Sequence, residues 1–236
     1  AILFGIHPLQ VESVAWISQR KNLLYALFFL AAIICYCYYR RGRQSKRYYS
    51  ASLILFGLSL LSKVSAAAFP LVLFLVDYFF SRKRDKSWLI DKIPFFILSF
   101  IFGMVAFIGT DSFRRAGNEF AAHLINQIAI ASQAIIFYLS KILLPLKLSC
   151  LYPFFGIEGT SLSLYFMITL IMLFAIVISS RKYTRKVIFG SSFFLISILP
   201  ALRWISIGEM VFADRYVYLS SLGVFYILAE GLFWLY

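Results

Sequence analysis

The sequence predicts an all-α, polytopic membrane protein, and three observations carry that prediction. Of its 236 residues 62% are hydrophobic and the mean hydropathy is +0.86, where soluble domains run at about 45–50% apolar. Only 14% of the residues are charged, too few to cover a water-exposed surface. Apolar runs recur at Leu23–Tyr39, Phe95–Ile108, Leu162–Ile178 and from Val217 onward, and crossing the hydrocarbon takes about 20 such residues. A soluble helical protein with a large core would need polar faces that these runs lack.

The net charge of +13 is gathered into clusters between the apolar runs: Arg40, Arg41, Arg43, Lys46 and Arg47; Arg82, Lys83, Arg84, Lys86 and Lys92; and Arg181, Lys182, Arg185 and Lys186. Such loops belong on the cytoplasmic side, against anionic headgroups. The aromatic residues beside them read as interface anchors, not as base-stacking platforms, so membrane lipids are expected partners and nucleic acid is not. Three cysteines give no disulfide framework: Cys35 and Cys37 lie within an apolar run and Cys150 stands alone.

With the basic clusters inside, the elements follow in order. Ala1–Ile6 arrives at the outer face as the end of a helix. Leu23–Tyr39 runs inward, Tyr49–Leu61 outward and Ala66–Phe80 inward, with a turn at Ser62-Lys63. Phe95–Ile108 runs outward, with Pro94 at its start, where a missing N–H costs nothing. Residues 110–161 form an external region containing the amphipathic stretch Leu124–Leu144, where Asn126, Gln133 and Ser140 recur every seven residues beside His123, Gln127 and Lys141. That stretch is expected to lie at the outer interface or to re-enter, because a full span would put Arg181–Lys186 outside; a span is the alternative. Leu162–Ile178 then runs inward and Val187–Leu199 outward, Trp204–Arg215 is external, and the segment from Val217 re-enters. Residues 1–236 are thus expected to form one transmembrane domain, cut through helices at both ends. No soluble domain or short-period repeat stands out.

The unusual polar residues fall on the outer side of this topology. Glu12, Trp16 and Arg20, at i, i+4 and i+8, would share one face of a helix. Arg20 and Lys21 also suit a snorkelling pair at the membrane boundary. Lys63 sits in the turn of a helical hairpin, either as an interface lysine or as a point charge for a phosphate oxygen. Near the last helix stand Glu209, Asp214, Arg215 and Tyr216; the acids could neutralise Arg215 and Arg203, or Arg215 could grip a phosphate in bidentate fashion. Asp111 and Glu119, flanking Arg114-Arg115, read as a solvated segment, and Asp77, near the inner end of its helix, as a packing or boundary residue. Glycine-rich phosphate loops, paired-cysteine metal motifs and nucleophile elbows are lacking, and His7 and His123 are too scattered for zinc. Outer cations around a membrane cavity suggest a lipid-linked anionic substrate.

The run from His7-Pro8 through Val11-Glu12-Ser13-Val14-Ala15-Trp16, Ser18, Arg20-Lys21 and Leu23-Leu24 closely resembles the HPxxVESVAWxSxRKxLL signature of GT-C superfamily membrane glycosyltransferases. The nearest group is the transmembrane and tetratricopeptide-repeat O-mannosyltransferases with their prokaryotic relatives. Leu60-Leu61-Ser62-Lys63 with Pro70-Leu71-Val72 and Asp77-Tyr78, Pro145 to Tyr152-Pro153, and Ala213-Asp214-Arg215-Tyr216-Val217-Tyr218-Leu219 with Ser220-Ser221-Leu222-Gly223 resemble three further motifs of that family in the same order.

The resemblance implies a GT-C-like helical bundle, of which this chain is an internal piece. It also implies transfer of a sugar, a hexose such as mannose, from a polyprenyl-phosphate donor to an acceptor hydroxyl of a protein or glycan. The implied setting is a bacterial or archaeal plasma membrane with the active site facing outside. The implied catalytic base is an acidic residue in an earlier external loop with no counterpart here, so no catalytic residue is assigned in this chain. Donor-phosphate binding falls to Arg215, Lys63 and Arg20, and site orientation to Asp214, Glu12, His7 and Tyr216, with Asp214 steering Arg215. His7 has a capping role beside Pro8 as its alternative. No tightly bound cofactor is implied, and a divalent metal is left open. A lipid-linked glycan transporter or ligase-like protein, binding the same carrier, is the alternative function.

Overall fold

The computed structural model describes residues 1–40, 45–80, 87–108, 120–150, 152–153, 168, 185–202 and 210–235. Outside them lie Leu162–Ile178 save residue 168, most of the three basic clusters, Asp111, Arg114, Arg115, Glu119, Arg203 and Glu209; the side chains of His123, Asn126 and Gln127 also lie outside the description. The chain is α-helical in its main elements, as the sequence predicts. It divides into two compact units, one made of Ala1–Glu12 and Thr110–Tyr236, the other of Ser13–Gly109.

The helices are α1 (Ile2–Ile6), α2 (Val11–Ala15), α3 (Arg20–Tyr38), α4 (Lys46–Ser62), α5 (Phe69–Phe79), α6 (Ser87–Ile90), α7 (Ile93–Ile108), α8 (Phe120–Leu143), α9 (Arg185–Ile198) and α10 (Ser221–Leu235). Short 3-10 turns sit at Pro8–Gln10, Ile17–Gln19, Val64–Ala68, Leu199–Ala201 and Asp214–Tyr216. Two short strands, β1 (Tyr152–Pro153) and β2 (Met210–Phe212), pair antiparallel. One correction concerns Glu12, Trp16 and Arg20. They do not share a helix face, because Trp16 is extended (φ −83°, ψ 112°) and breaks the chain between α2 and the 3-10 turn that leads into α3.

In the unit Ser13–Gly109, α3 buries Asn22, Tyr25, Ala26, Phe29, Ala32 and Tyr36, a single stripe at helical spacing. Against it α4 lays Ser52, Phe56, Ser59 and Leu60. The Ser52 hydroxyl donates to the Ala32 carbonyl at 2.9 Å and Ser59 to Tyr25 at 3.0 Å. Seven residues separate the two bonds on each helix, in opposite order, so the pair is antiparallel. Small hydroxyl residues at such a contact allow close backbones and satisfy themselves on the neighbour, the economy favoured where water is absent. Pro70 starts α5 without wasting an N–H, and the rings of Phe29, Phe56, Phe69 and Phe95 fill the centre at centroid distances of 4.6 to 5.7 Å.

One end of this unit is closed by a buried charge cluster. Lys92 is fully buried and its ammonium bonds the Asp77 carboxylate, which also accepts the Tyr36 hydroxyl at 2.9 Å. Arg40 Nε lies 3.5 Å from Asp77 Oδ1, an ion pair too long for a good hydrogen bond, and Arg40 Nη1 lies 3.5 Å from Asp91. Asp91 is further tied to Tyr39 and, through its carbonyl, to Tyr49. Two positive and two negative side chains thus fasten the ends of α3, α4, α5 and α7. This corrects the placing of Lys92 in a basic loop cluster against lipid headgroups: Asp77 lies close enough to compensate its burial. Asp77 accordingly serves as a packing residue.

In the unit formed by Ala1–Glu12 and Thr110–Tyr236, α8 buries Ala134, Ile135, Tyr138 and Ile142 against Leu9, Phe194, Ile198, Val217 and Phe225. Helices α9 and α10 pack where Gly190 meets Gly223: a methyl on Gly190 would stand 2.6 Å from the Gly223 carbonyl oxygen, and one on Gly223 would strike Gly190 and the Phe194 N–H. Lys186, near the start of α9, pairs with Glu230, near the end of α10, at 2.6 Å, as an antiparallel hairpin requires.

Many large apolar side chains face outward. On α7 the exposed set is Ile93, Phe96, Ile97, Phe100, Ile101, Met104, Val105 and Ile108, an unbroken stripe along the helix, and α10 ends in exposed Leu232, Phe233, Trp234 and Leu235. Among the described residues one helix, Ile17–Tyr38, is long and apolar enough to cross a membrane; Val64–Phe79, Ile93–Ala106, Ala131–Leu143 and Ser221–Leu235 are apolar but shorter.

Candidate functional site

Sequence-distant segments build one polar centre within the unit of Ala1–Glu12 and Thr110–Tyr236. Its first wall begins where α1 stops. His7 Nδ1 accepts the Leu9 N–H at 3.3 Å and Nε2 faces the Ile142 carbonyl at 3.0 Å. A carbonyl only accepts, so the ring is held as the Nε2–H tautomer. Both nitrogens are spent on capping the turn and docking it on α8, which is the capping role expected as His7's alternative. Three residues on, the Gln10 amide donates to Ser221 Oγ at 3.1 Å, and Ser221 donates to the Tyr218 carbonyl at 2.9 Å.

This docking delivers Glu12 to the turn Asp214–Tyr216. One Glu12 oxygen accepts the Arg215 backbone N–H at 2.9 Å while the other meets Arg215 Nη1 at 2.8 Å. The carboxylate therefore fixes both the backbone and the guanidinium of one residue. Their side chains are only 7% and 16% exposed, so the pair is shielded from salt and water. Arg215 Nη1 also reaches the Cys150 carbonyl at 3.3 Å, and its guanidinium lies over the Tyr216 ring at 5.2 Å. Burial works against the charge on Arg215, but Glu12 and Tyr216 together outweigh it and the pKa is raised above its ordinary value.

Asp214 takes a different partner from the one expected. Its carboxylate, 3% exposed, accepts the Tyr152 hydroxyl at 3.0 and 3.1 Å, while Glu12 is the acid that holds Arg215. The Tyr152 oxygen accepts the Ser149 N–H at 2.8 Å. Lys141 Nζ rests on the carbonyls of Leu146 and Lys147 and over the Tyr152 ring at 5.2 Å. Behind them the Tyr138 hydroxyl spans the N–H and carbonyl of Ala213, both at 3.2 Å.

Burial pushes the Asp214 carboxyl up to about 6; Glu12 adds to this, while Tyr152, Lys141 and the Ser149 N–H oppose it. The Tyr152 hydroxyl is pushed up to about 12, first by burial and then by the nearby carboxylates. With all four groups ionised, Glu12, Asp214, Arg215 and Lys141 sum to zero. Added negative charge here would raise that carboxyl further, and Asp214 is the side chain ready to take up a proton near neutrality.

No family model matches this chain, and no curated protein or solved structure matches it either.

The other two expected phosphate ligands lie in the second unit, at one end of the α3–α4 hairpin. Lys63 Nζ bonds Asn22 Oδ1 at 2.8 Å, and the Asn22 amide donates to Gln19 Oε1 at 3.1 Å. Tyr25 lies beneath the ammonium at 5.8 Å. Arg20 is exposed, with Nε on the Ile17 carbonyl at 3.3 Å. Among the described residues no three His, Cys, Asp or Glu side chains gather as metal ligands.

Sequence reasoning assigned no role to Tyr152, Lys141, Gln10 or Ser221. The signal for three of them was present, since Gln10, Tyr152 and Ser221 lie inside motif stretches. What was missing was the knowledge that those stretches touch.

Proposed function

We propose that this chain carries the donor-phosphate centre of a multi-pass membrane glycosyltransferase, one that passes a sugar from a polyprenyl-phosphate carrier to an acceptor hydroxyl outside the cell. The observation that carries this reading is the Glu12–Arg215 pair. It joins the two longest motifs of the GT-C resemblance through two hydrogen bonds across 203 residues. The outward apolar stripes on α7 and α10 support a bilayer setting, since monomeric soluble proteins rarely expose such continuous patches.

In this role Arg215 meets the phosphate as the glycosidic bond breaks and negative charge gathers on the departing carrier. A preset guanidinium in a shielded site gives more to that charge than to the ground state. Glu12 holds it in place before the donor arrives. Tyr216 stacks beneath the guanidinium. Protein or glycan acceptors and the activating base belong to parts of the reaction on which these residues do not act.

The test is transfer of labelled sugar from a polyprenyl-phosphate donor by the membrane-embedded full-length protein. Arg215→Ala is expected to reduce transfer strongly while the variant still inserts and folds. Equal rates would remove the phosphate-binding role, and binding without transfer by the wild type would point to a carrier transporter.

A further inference from the structure

Tyr152 is the residue whose geometry the proposed function leaves unused. It sits at the end of a loop that leaves α8 at Leu143 and returns to pair as β1 with β2. Its hydroxyl is bonded in two directions, accepting from Ser149 N–H and donating to Asp214. Its ring is gripped by Lys141 above and by Phe137 edge-on at 4.8 Å. Between Ser149 and Tyr152 lies Cys150, whose carbonyl is the backbone group that meets Arg215 Nη1.

We propose that Tyr152 is a positioning residue for Arg215: its hydroxyl clips the loop to Asp214, and the clip brings the Cys150 carbonyl onto the guanidinium. Arg215 is then aimed from two sides, by Glu12 and by the loop. A guanidinium so confined gives up less freedom when it meets an anion. This rests on the proposed function only for its consequence, donor binding; the clip itself stands on the contacts.

Two readouts test it in the full-length protein. The first is alkylation of the exposed Cys150 thiol by a membrane-impermeant maleimide. Tyr152→Phe keeps the ring and removes the clip, so alkylation is expected to quicken; Asp214→Asn, which retains an oxygen acceptor, stays near wild type, and Asp214→Ala behaves like Tyr152→Phe. The second is kinetic. Tyr152→Phe is expected to raise the KM for the lipid donor about tenfold, the weight of one charge-assisted bond, with acceptor KM unchanged. Quickened alkylation with an unchanged donor KM would reduce Tyr152 to a structural residue and overturn the proposal, as would unchanged alkylation. If the wild type transfers nothing, the proposed function fails; the inference is then judged by alkylation and by binding of a farnesyl phosphodiester, which Tyr152→Phe must weaken for it to stand. Should Tyr152→Phe fold poorly, the Asp214→Asn and Asp214→Ala pair decides by the same two readouts, and Asp214→Ala must quicken alkylation and raise the donor KM where Asp214→Asn does neither.

Discussion

Glu12 and Arg215 are bonded twice, once through the arginine side chain and once through its backbone N–H. The double contact makes Glu12 more than a counter-charge. It fixes where the guanidinium begins, and so it ties the HPxxVE stretch to the ADRY turn as one centre.

The α9–α10 contact should tolerate no side chain at Gly223. A methyl there meets backbone atoms of Gly190 and Phe194, which cannot rotate away. Gly223→Ala is expected to destabilise by about 1–3 kcal/mol, the cost of overpacking. Gly231 faces open space, so Gly231→Ala should be neutral or slightly stabilising. Thermal unfolding in detergent compares the two, and equal melting points would contradict the close crossing.

Asp77→Asn should be among the most damaging changes in the unit Ser13–Gly109. It leaves Lys92 buried without its carboxylate, which costs about 3–5 kcal/mol. Combining Asp77→Leu with Lys92→Met should lose less than either change alone, because no orphan charge remains. A double variant worse than both singles would show that the pair is not the fastening.

Asp214 predicts a pH dependence with a definite sign. Its carboxyl is raised from 3.8 to about 6, so the folded chain holds a proton that the unfolded chain has released. Its contribution is therefore greatest below about pH 4 and is lost as pH rises through about 6. Asp214→Asn should remove that part of the slope, measured as melting temperature between pH 4 and 7. Tyr152→Phe removes a bond that holds the pKa down, so it should move the upper end of the window to higher pH.

The native cysteines report sidedness. Cys150 is exposed, in the loop assigned to the outer face, while Cys35 and Cys37 lie within α3. An impermeant maleimide added to intact cells should label Cys150. Labelling only after permeabilisation would reverse the topology.

The helices were largely legible because their apolar stripes have one period. Leu23–Tyr39 became Arg20–Tyr38, Tyr49–Leu61 became Lys46–Ser62, and Leu124–Leu144 became Phe120–Leu143. The apolar run Ala66–Phe80 predicts one helix, but Pro70 marks the start of α5 and the residues before Phe69 tighten into a 3-10 turn. Charge was harder to read, because the same lysine suits a loop or a buried pair. Lys92 is decided by Asp77, fifteen residues away in sequence, and no local pattern reports that contact. Likewise Asp214 stands beside Arg215 in the chain, yet neighbours in a 3-10 turn point differently, and each found its partner elsewhere.

The most direct measurement is a double-mutant cycle on donor kcat/KM with Glu12→Gln, Arg215→Gln and both. If Glu12 works by holding Arg215, Arg215→Gln lowers kcat/KM about 100-fold, as expected for two lost charge-assisted bonds, and adding Glu12→Gln costs little more. Losses that multiply, or an Arg215→Gln enzyme as fast as wild type, would contradict a shared donor-phosphate centre.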